Sequence, residues 1–501
     1  MKRWLGLLVM IFFPVMVQAQ SVSPYRYGYL TSTVEPIPKP DQPDWHDTLQ
    51  LIDPADLSKP AISIALPDYV YVCGDTSPDG RWLIVCYHQV HNSPLRDLML
   101  LNVQTGALRK IEYALYDDDK ITPVFDPEWS GDSAYIAINE YSLSIGTAAV
   151  SLYDVKADRL TTLVQNGDSP VHPGNVEMVL FYQWMPESHD AILERYECTK
   201  PDFYTAMQCG PITLELRHMP DMALQASIET VGDGWGICNV SGSPGGRYLS
   251  FEAYCQPYGD NPAFREVYVW DTLQNRIDQL TSNTDPNPDT WYNFPHKYAT
   301  YKPLWYDRQT LMLSVWAETL VFGDEGIETQ PDSISVRTEL YKFDGHKPTI
   351  LLNDKVTAWA KNPVSGQLAF HNEHWGTDPD DRNHPIIAFN QITLATFDGQ
   401  KLNVQVTAQG GCQDLKWSPD GQVLAYTIPA KPSQTNWCYN NNSERIRFLS
   451  VEGHIQDYML PSAETFNQSI GWLYVPDANL PDAAFFLAGT PTPIPTLDGF
   501  G

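Results

Sequence analysis

Leu415-Lys416-Trp417-Ser418-Pro419-Asp420-Gly421-Gln422-Val423-Leu424-Ala425-Tyr426 decides how this chain is read. A short strand runs into Pro-Asp-Gly. There Pro presets φ and Gly accepts a positive φ, which gives a tight reversal. An apolar, β-rich strand follows. Near copies stand at Thr76-Ser77-Pro78-Asp79-Gly80-Arg81-Trp82 and Trp129-Ser130-Gly131-Asp132-Ser133-Ala134-Tyr135, with weaker ones from Trp184, Gly242, Trp305, Trp359 and Trp472. The gaps between these starts are 53, 55, 58, 63, 54, 58 and 55 residues. So steady a period is the mark of a repeat architecture rather than of several unrelated domains.

Each unit continues in the same way. A third strand, such as Asp97 to Val103, leads through Gln104-Thr105-Gly106 into a fourth, Leu108 to Ile111. The third-strand pattern recurs at Leu152-Tyr153-Asp154-Val155, Val267 to Asp271, Leu340 to Gly345 and Leu394 to Gly399. Four antiparallel strands per unit predict an all-β chain folded as a single β-propeller of four-stranded blades. The repeat from Trp472 supplies a first strand, and Ala483 to Leu487 reads as its second. Residues 47–53 and 61–64 read as the missing third and fourth, so a composite N-/C-terminal blade closes a ring of eight. The degenerate copy at Gly242 and the 63-residue gap before Trp305 leave seven blades as the alternative.

These residues resemble the TolB-like propeller repeat, whose signature is Trp-Ser-Pro-Asp-Gly before an apolar strand. The match spans roughly residues 45–488 and is complete at Trp417–Gly421. The resemblance implies the propeller alone. Residues 20–45 are too short for the separate domain that precedes TolB's propeller, and no Gly-x-Ser-x-Gly elbow marks the hydrolase of prolyl-oligopeptidase-type peptidases. Fold likeness does not fix function.

The N-terminus has the three parts of a secretory signal: Lys2 and Arg3, an apolar stretch from Trp4 to Val17, and the small-x-small site Val17-Gln18-Ala19. The expected organisation is a signal peptide at 1–19, a propeller at 20–488, and a Pro/Thr-rich extended tail at 489–501. The expected compartment is periplasmic or extracellular, with no membrane anchor left after cleavage. A formal net charge of −29 opposes nucleic-acid phosphates and anionic lipid.

Long second-to-third and fourth-to-first connections put the decoration on one face. Examples are Glu197 to Gly210, Thr281 to Lys302, Trp316 to Val336 and His371 to Pro385. Long loops on a rigid scaffold are where function concentrates. Candidate ligand-face residues are Trp291, His371, Glu373, His374, Trp375, Asp378 and Asp380. Aromatic rings there can stack on sugars or anchor a protein, and carboxylates and imidazoles add polar contacts. The 371–381 stretch meets no recognised metal-ligand spacing, and Asp285 to Trp291 lacks the Gly of a calcium loop. No metal, cofactor or catalytic set is therefore expected. The leading expectation is a non-catalytic propeller binding a protein or carbohydrate partner. The rival is a metal-dependent polysaccharide lyase or hydrolase, since TolB-like propellers include such lyases.

Eight cysteines in an exported chain predict disulfides. They fall into neighbours: Cys73 with Cys86, Cys198 with Cys209, Cys238 with Cys255, Cys412 with Cys438. A two-residue turn at Asp79-Gly80 places Cys73 directly opposite Cys86. Non-reducing peptide mapping should recover these four pairs, each contributing about 2–4 kcal/mol. A single cross-blade pair would refute the scheme.

Overall fold

The computed structural model describes residues 25–476, apart from connecting segments at 35–46, 59–61, 68–69, 89–95, 104–105, 112–122, 143–147, 170, 200–209, 231–236, 254–265, 282–295, 324–325, 330–334, 344–348, 353–354, 378–384, 411–413, 430–442 and 461–465. The described chain forms eight antiparallel sheets, each a path of four strands. Blade 1 runs Val70–Thr76, Trp82–His88, Arg96–Asn102, Leu108–Lys110. The pattern repeats through blade 7, which begins at Lys416–Trp417 and ends at Ile455–Met459. Blade 3 gains a short edge strand at Gly167–Asp168, and blade 5 gains one at Gly326–Thr329.

First strands of successive blades touch one another around the ring, so they are the innermost. Fourth strands consist almost wholly of half-buried and exposed positions, as the outer rim must. Apolar side chains of adjacent blades interleave between them in one cluster per gap. Leu83, Val85, Leu30 and Leu473 fill one gap, and Ala369, Leu394, Trp417 and Leu424 fill another.

Closure is by a composite blade, but its make-up differs from the sequence expectation. The C-terminal strand Phe466–Pro476 pairs with Tyr25–Val34, which pairs with Asp47–Ile52 and then Ile62–Ala65. The second strand therefore comes from residues 25–34 and not from 483–487, which lie outside the described residues. The signal was present in Tyr25, Tyr27 and Tyr29, whose alternation with Arg26 and Gly28 is that of a strand. Three strands from one end and one from the other hold the ring together by a full ladder of main-chain bonds.

The repeat's turn is built from its own polar atoms. In blade 7, the Ser418 hydroxyl donates to Asp420 (2.6 Å) and accepts the backbone N–H groups of Gln422 (3.1 Å) and Val423 (3.0 Å). Ser77 and Asp79 do the same in blade 1, and Ser130 and Asp132 in blade 2. Gly421 sits at φ 69°, the left-handed value that the turn requires.

The tryptophan of the repeat has a task beyond filling the core. An innermost strand has one unpaired edge, whose carbonyls need a donor. The indole N–H of Trp417 supplies one to Ala360 O of the preceding blade at 3.1 Å. Trp129, Trp184, Trp305 and Trp472 donate likewise to Asp75 O, Glu128 O, Ser241 O and Lys416 O, at 3.1, 3.0, 2.8 and 2.9 Å. The acceptor is always the residue just before the equivalent position of the previous blade.

Blade 6 corrects the repeat register. Lys361, not Trp359, pairs as Trp417 does, so Lys361-Asn362-Pro363-Val364-Ser365-Gly366 replaces Trp-Ser-Pro-Asp-Gly there. Lys361 Nζ also bonds across the gap, but to Tyr306 O at 2.6 Å, just past the end of the inner strand rather than at the residue before Trp305. The weak copy at Gly242 also has a cause. A side chain there would collide with Met185 Sδ, 2.5 Å from an added Cβ.

Cys73 and Cys86 form a disulfide with Cα atoms 5.7 Å apart. They are not directly opposite, however. Tyr71 faces Cys86, and a bulge between Val72 and Thr76 shifts the register. The bulge is tolerated because Gly74 lets Ile84 pack against the backbone; a Cβ there would lie 2.8 Å from Ile84 Cβ. Cys198 and Cys238 are also disulfide-bonded. Cys209, Cys255, Cys412 and Cys438 lie outside the described residues.

Trp417→Phe should lower the free energy of unfolding by about 1–2 kcal/mol, since a hydrogen bond is lost with little change of packing. Trp359→Phe should cost clearly less, because the Trp359 indole N–H has no partner among the described residues. Equal costs in urea denaturation would show that the clasp contributes nothing beyond burial.

Candidate functional site

The tight-turn face is stitched from blade to blade. Ser133 Oγ accepts the Asp79 N–H at 2.9 Å, and Asp132 meets His189 Nε2 at 2.7 Å. Asn362 Nδ2 donates to Gly421 O at 2.7 Å. Burial pushes the Asp132 carboxyl up, but hydrogen bonds from His189 and Ser130 outweigh it and hold it below the usual range. These turn residues already have partners, and those partners belong to the ring.

A polar belt lies at one height behind the inner wall. Aligned by their turns, the second strands carry Ser32, Cys86, Asn139, Glu194, Glu252, Ser314, His371 and Thr427 at the same register. Several of these residues reach the inner strand of the next blade. Asn139 accepts the Phe181 N–H and donates to Phe181 O, both at 2.7 Å. Ser314 Oγ accepts the Val356 N–H at 2.9 Å. Phe181 and Val356 each border a β-bulge, and a bulge leaves main-chain groups out of the ladder. The belt supplies some of the partners that those groups lose.

Two of the bulges frame a cavity of about 370 Å³ in the inner wall. Blade 4 bulges between Cys238 and Ser241, and blade 6 between Val356 and Ala358. The inner strand of blade 5, His296–Trp305, runs between them without a break in register. Asn239, Val240 and Ser241 form one side, Thr357, Ala358 and Trp359 the other, and Pro303 and Leu304 the floor.

The cavity's polar groups are held from behind. Asn239, at a left-handed φ of 49°, donates from Nδ2 to Glu252 at 2.6 Å. Thr357 Oγ1 is hydrogen-bonded to His371 Nδ1. Glu252 and His371 are fully buried. The Tyr182 hydroxyl takes backbone hydrogen bonds from Val240 and Asn239, and burial with the nearby Glu194 pushes it up to about 12. Burial likewise pushes Glu194 up to about 7. Trp359 leans on Phe370 with ring centroids 5.5 Å apart. The result is a fixed rim of amide, hydroxyl and indole over an aliphatic floor.

The structure redistributes the residues singled out from sequence. His371 is not in a loop. It lies within the strand Leu368–Thr377, as do Glu373, His374 and Trp375, because the second strand of blade 6 extends well past its turn-proximal half. The same holds for blade 5, where Thr310–Gly323, Gly326–Thr329 and Ser335–Lys342 together occupy most of the stretch read as the loop Trp316 to Val336. Trp291, Asp378 and Asp380 lie outside the described residues. Among the described residues no three His, Cys, Asp or Glu side chains gather as metal ligands. Sequence reading missed Asn239, Thr357 and Glu252. The signal for Glu252 was a polar residue at one fixed position of seven of the eight second strands, visible once the repeats are aligned by their turns, whereas Asn239 and Thr357 are extra residues of first-strand bulges and carry no such pattern.

The chain matches no family model and no curated protein. Solved structures similar to it include a prolyl endopeptidase, at 13% identity and a TM-score of 0.46, over 80% of this chain and 50% of that one. The dihydro-heme d1 dehydrogenase NirN aligns at 12% identity and a TM-score of 0.45, over 88% and 75% of the two chains. TolB from Acinetobacter baumannii aligns at 12% identity and a TM-score of 0.33, over 90% and 82%. The chain thus spans half the length of the prolyl endopeptidase. The fold itself is fixed by the eight sheets: the protein is an eight-bladed β-propeller.

Glu194 gives this region a pH dependence. Its carboxyl titrates near 7 when folded against a usual 4.5, so the folded state holds the proton more tightly. Stability from this group is full below about 4.5 and falls as pH rises to about 7, by on the order of 3 kcal/mol. Glu194→Gln should abolish that fall, gaining melting temperature at pH 8 and not at pH 4. Parallel melting curves for the two proteins across that range would contradict the assignment.

Proposed function

We propose that this propeller is an extracytoplasmic, TolB-like binding module that engages a protein or glycan partner through the face of long connections. The observation that carries the reading is the asymmetry of the ring. Turn-face side chains are committed to neighbouring blades, as in the Asp132–His189 and Asn362–Gly421 contacts. By sequence, Trp291, Asp378 and Asp380 fall in fourth-to-first or second-to-third connections, and Glu373, His374 and Trp375 continue the second strand of blade 6 away from its turn. Recognition needs aromatic area and polar groups around a concavity, and these residue types are the ones that would supply them.

The compartment follows from the leader-like N-terminus and the cysteines. The Cys73–Cys86 bridge suits an oxidising environment. TolB supplies a likeness in fold only, so its interactions are not carried over. The rival reading, a metal-dependent polysaccharide lyase or hydrolase, would need several His or carboxylate groups at one point on the long-connection face.

Alanine substitution of Trp291, Glu373, His374 and Trp375 together should abolish capture of the partner from an envelope extract and leave the melting temperature nearly unchanged. Retained capture in that variant, with loss on altering Asp79 and Gly80, would assign recognition to the turn face. Unfolding of the variant would make these residues structural.

A further inference from the structure

We propose that the cavity between the inner strands of blades 4, 5 and 6 is a binding site for a neutral saccharide. The site lies in the channel wall, so it stands apart from the loop-face reading and can fail or hold independently of it.

The shape is the first argument. Two bulged strands flank an unbulged one, and the bulged residues Asn239, Val240 and Thr357 are the ones that line the cavity. Bulges re-aim side chains and are over-represented beside binding sites. The volume of about 370 Å³ lies within the range of small-ligand pockets and suits a mono- or disaccharide.

The chemistry of the lining is the second argument. A sugar ring presents an apolar C–H face and a rim of hydroxyls. The cavity offers the matching pair: the Trp359 ring with an aliphatic floor of Pro303 and Leu304, and a rim of Asn239, Ser241 and Thr357. Aromatic rings give large contact area at low entropic cost. Among the described residues no lysine, arginine or carboxylate lines the cavity, and the chain carries a net charge of −29. An acidic sugar would meet no cation among those residues and an unfavourable field.

Preorganisation is the third argument. Asn239 is exposed, yet it is fixed by its bond to the buried Glu252 carboxyl. With Nδ2 donating to Glu252, its Oδ1 remains an acceptor for a ligand hydroxyl. It adopts a left-handed backbone conformation that non-glycine residues seldom take, and such conformations cluster at ligand sites. Thr357 is fixed in the same way by the buried His371. Two rim groups, each held by a buried ionisable partner, lose little freedom when a ligand arrives.

The test is calorimetric titration of the full mature chain with maltose, cellobiose, lactose and di-N-acetylchitobiose, with galacturonic acid as the charged comparator. We expect saturable binding of at least one neutral sugar and none of galacturonic acid. Trp359→Ala and Asn239→Ala should each weaken that binding at least tenfold. If Trp359→Ala does not fold, Asn239→Ala and Thr357→Val decide, since both keep the apolar floor. The proposal is overturned if no neutral sugar binds, if galacturonic acid binds as well, or if the folded variants bind as the wild type does. Loss of sugar binding in the Trp291, Glu373, His374 and Trp375 variant, with cavity variants unaffected, would also overturn it and move the sugar to the loops.

Discussion

The ring depends on what happens at the unpaired edge of its innermost strands. Seven of the eight described blades begin on an inner strand with a neighbour on one side only, and in blade 3 the two residues Gly167–Asp168 cover part of that edge. A carbonyl near the end of this strand is bonded across the gap by an indole N–H at five junctions, and at a sixth Lys361 Nζ reaches Tyr306 O just beyond the strand. At these six junctions a directional bond ties a blade to the one before it, where apolar packing alone would allow sliding. It also explains why a bulky residue with a single N–H recurs about every 55 residues. Trp buries a large apolar surface and still carries one donor.

The second constraint is the set of bulges. A propeller's inner strands crowd toward the axis, and extra residues in those strands relieve the register at the expense of ladder bonds. The polar belt on the second strands returns part of them. Asn139 serves both main-chain groups of Phe181, and Ser314 serves the N–H of Val356. Buried polar groups of this kind are acceptable only when they are paired. Where the belt residue is ionisable, as at Glu194, Glu252 and His371, the same arrangement concentrates titratable groups just behind the channel wall. The cavity of blades 4 to 6 is therefore a by-product of closing the ring, and its rim is rigid for the same reason.

Division of labour between the two faces follows. Turns of Ser-Pro-Asp-Gly type use their side chains on themselves and on the next blade. That economy leaves the second-to-third and fourth-to-first connections free to vary in length and composition.

The all-β class, the propeller and its composite closure were legible in the sequence by itself, with eight blades as the leading count and seven as the alternative, because each rests on local chemistry repeated at a fixed period. Turn residues with fixed φ preferences and alternating strands can be read one repeat at a time. It also paired Cys73 with Cys86, although the symmetric register behind that pairing was off by the bulge at Gly74. Tertiary structure alone decided which strand fills the second place of the composite blade, since pairing of Tyr25–Val34 with Phe466–Pro476 joins opposite ends of the chain. It also moved the blade 6 repeat from Trp359 to Lys361, and turned His371 from a presumed loop residue into a buried strand residue behind Thr357. The physical reason is common to all three. A residue's polarity is visible in one dimension, but whether a bulge, a neighbouring blade or solvent satisfies it depends on contacts about 42 to 57 residues or more away along the chain.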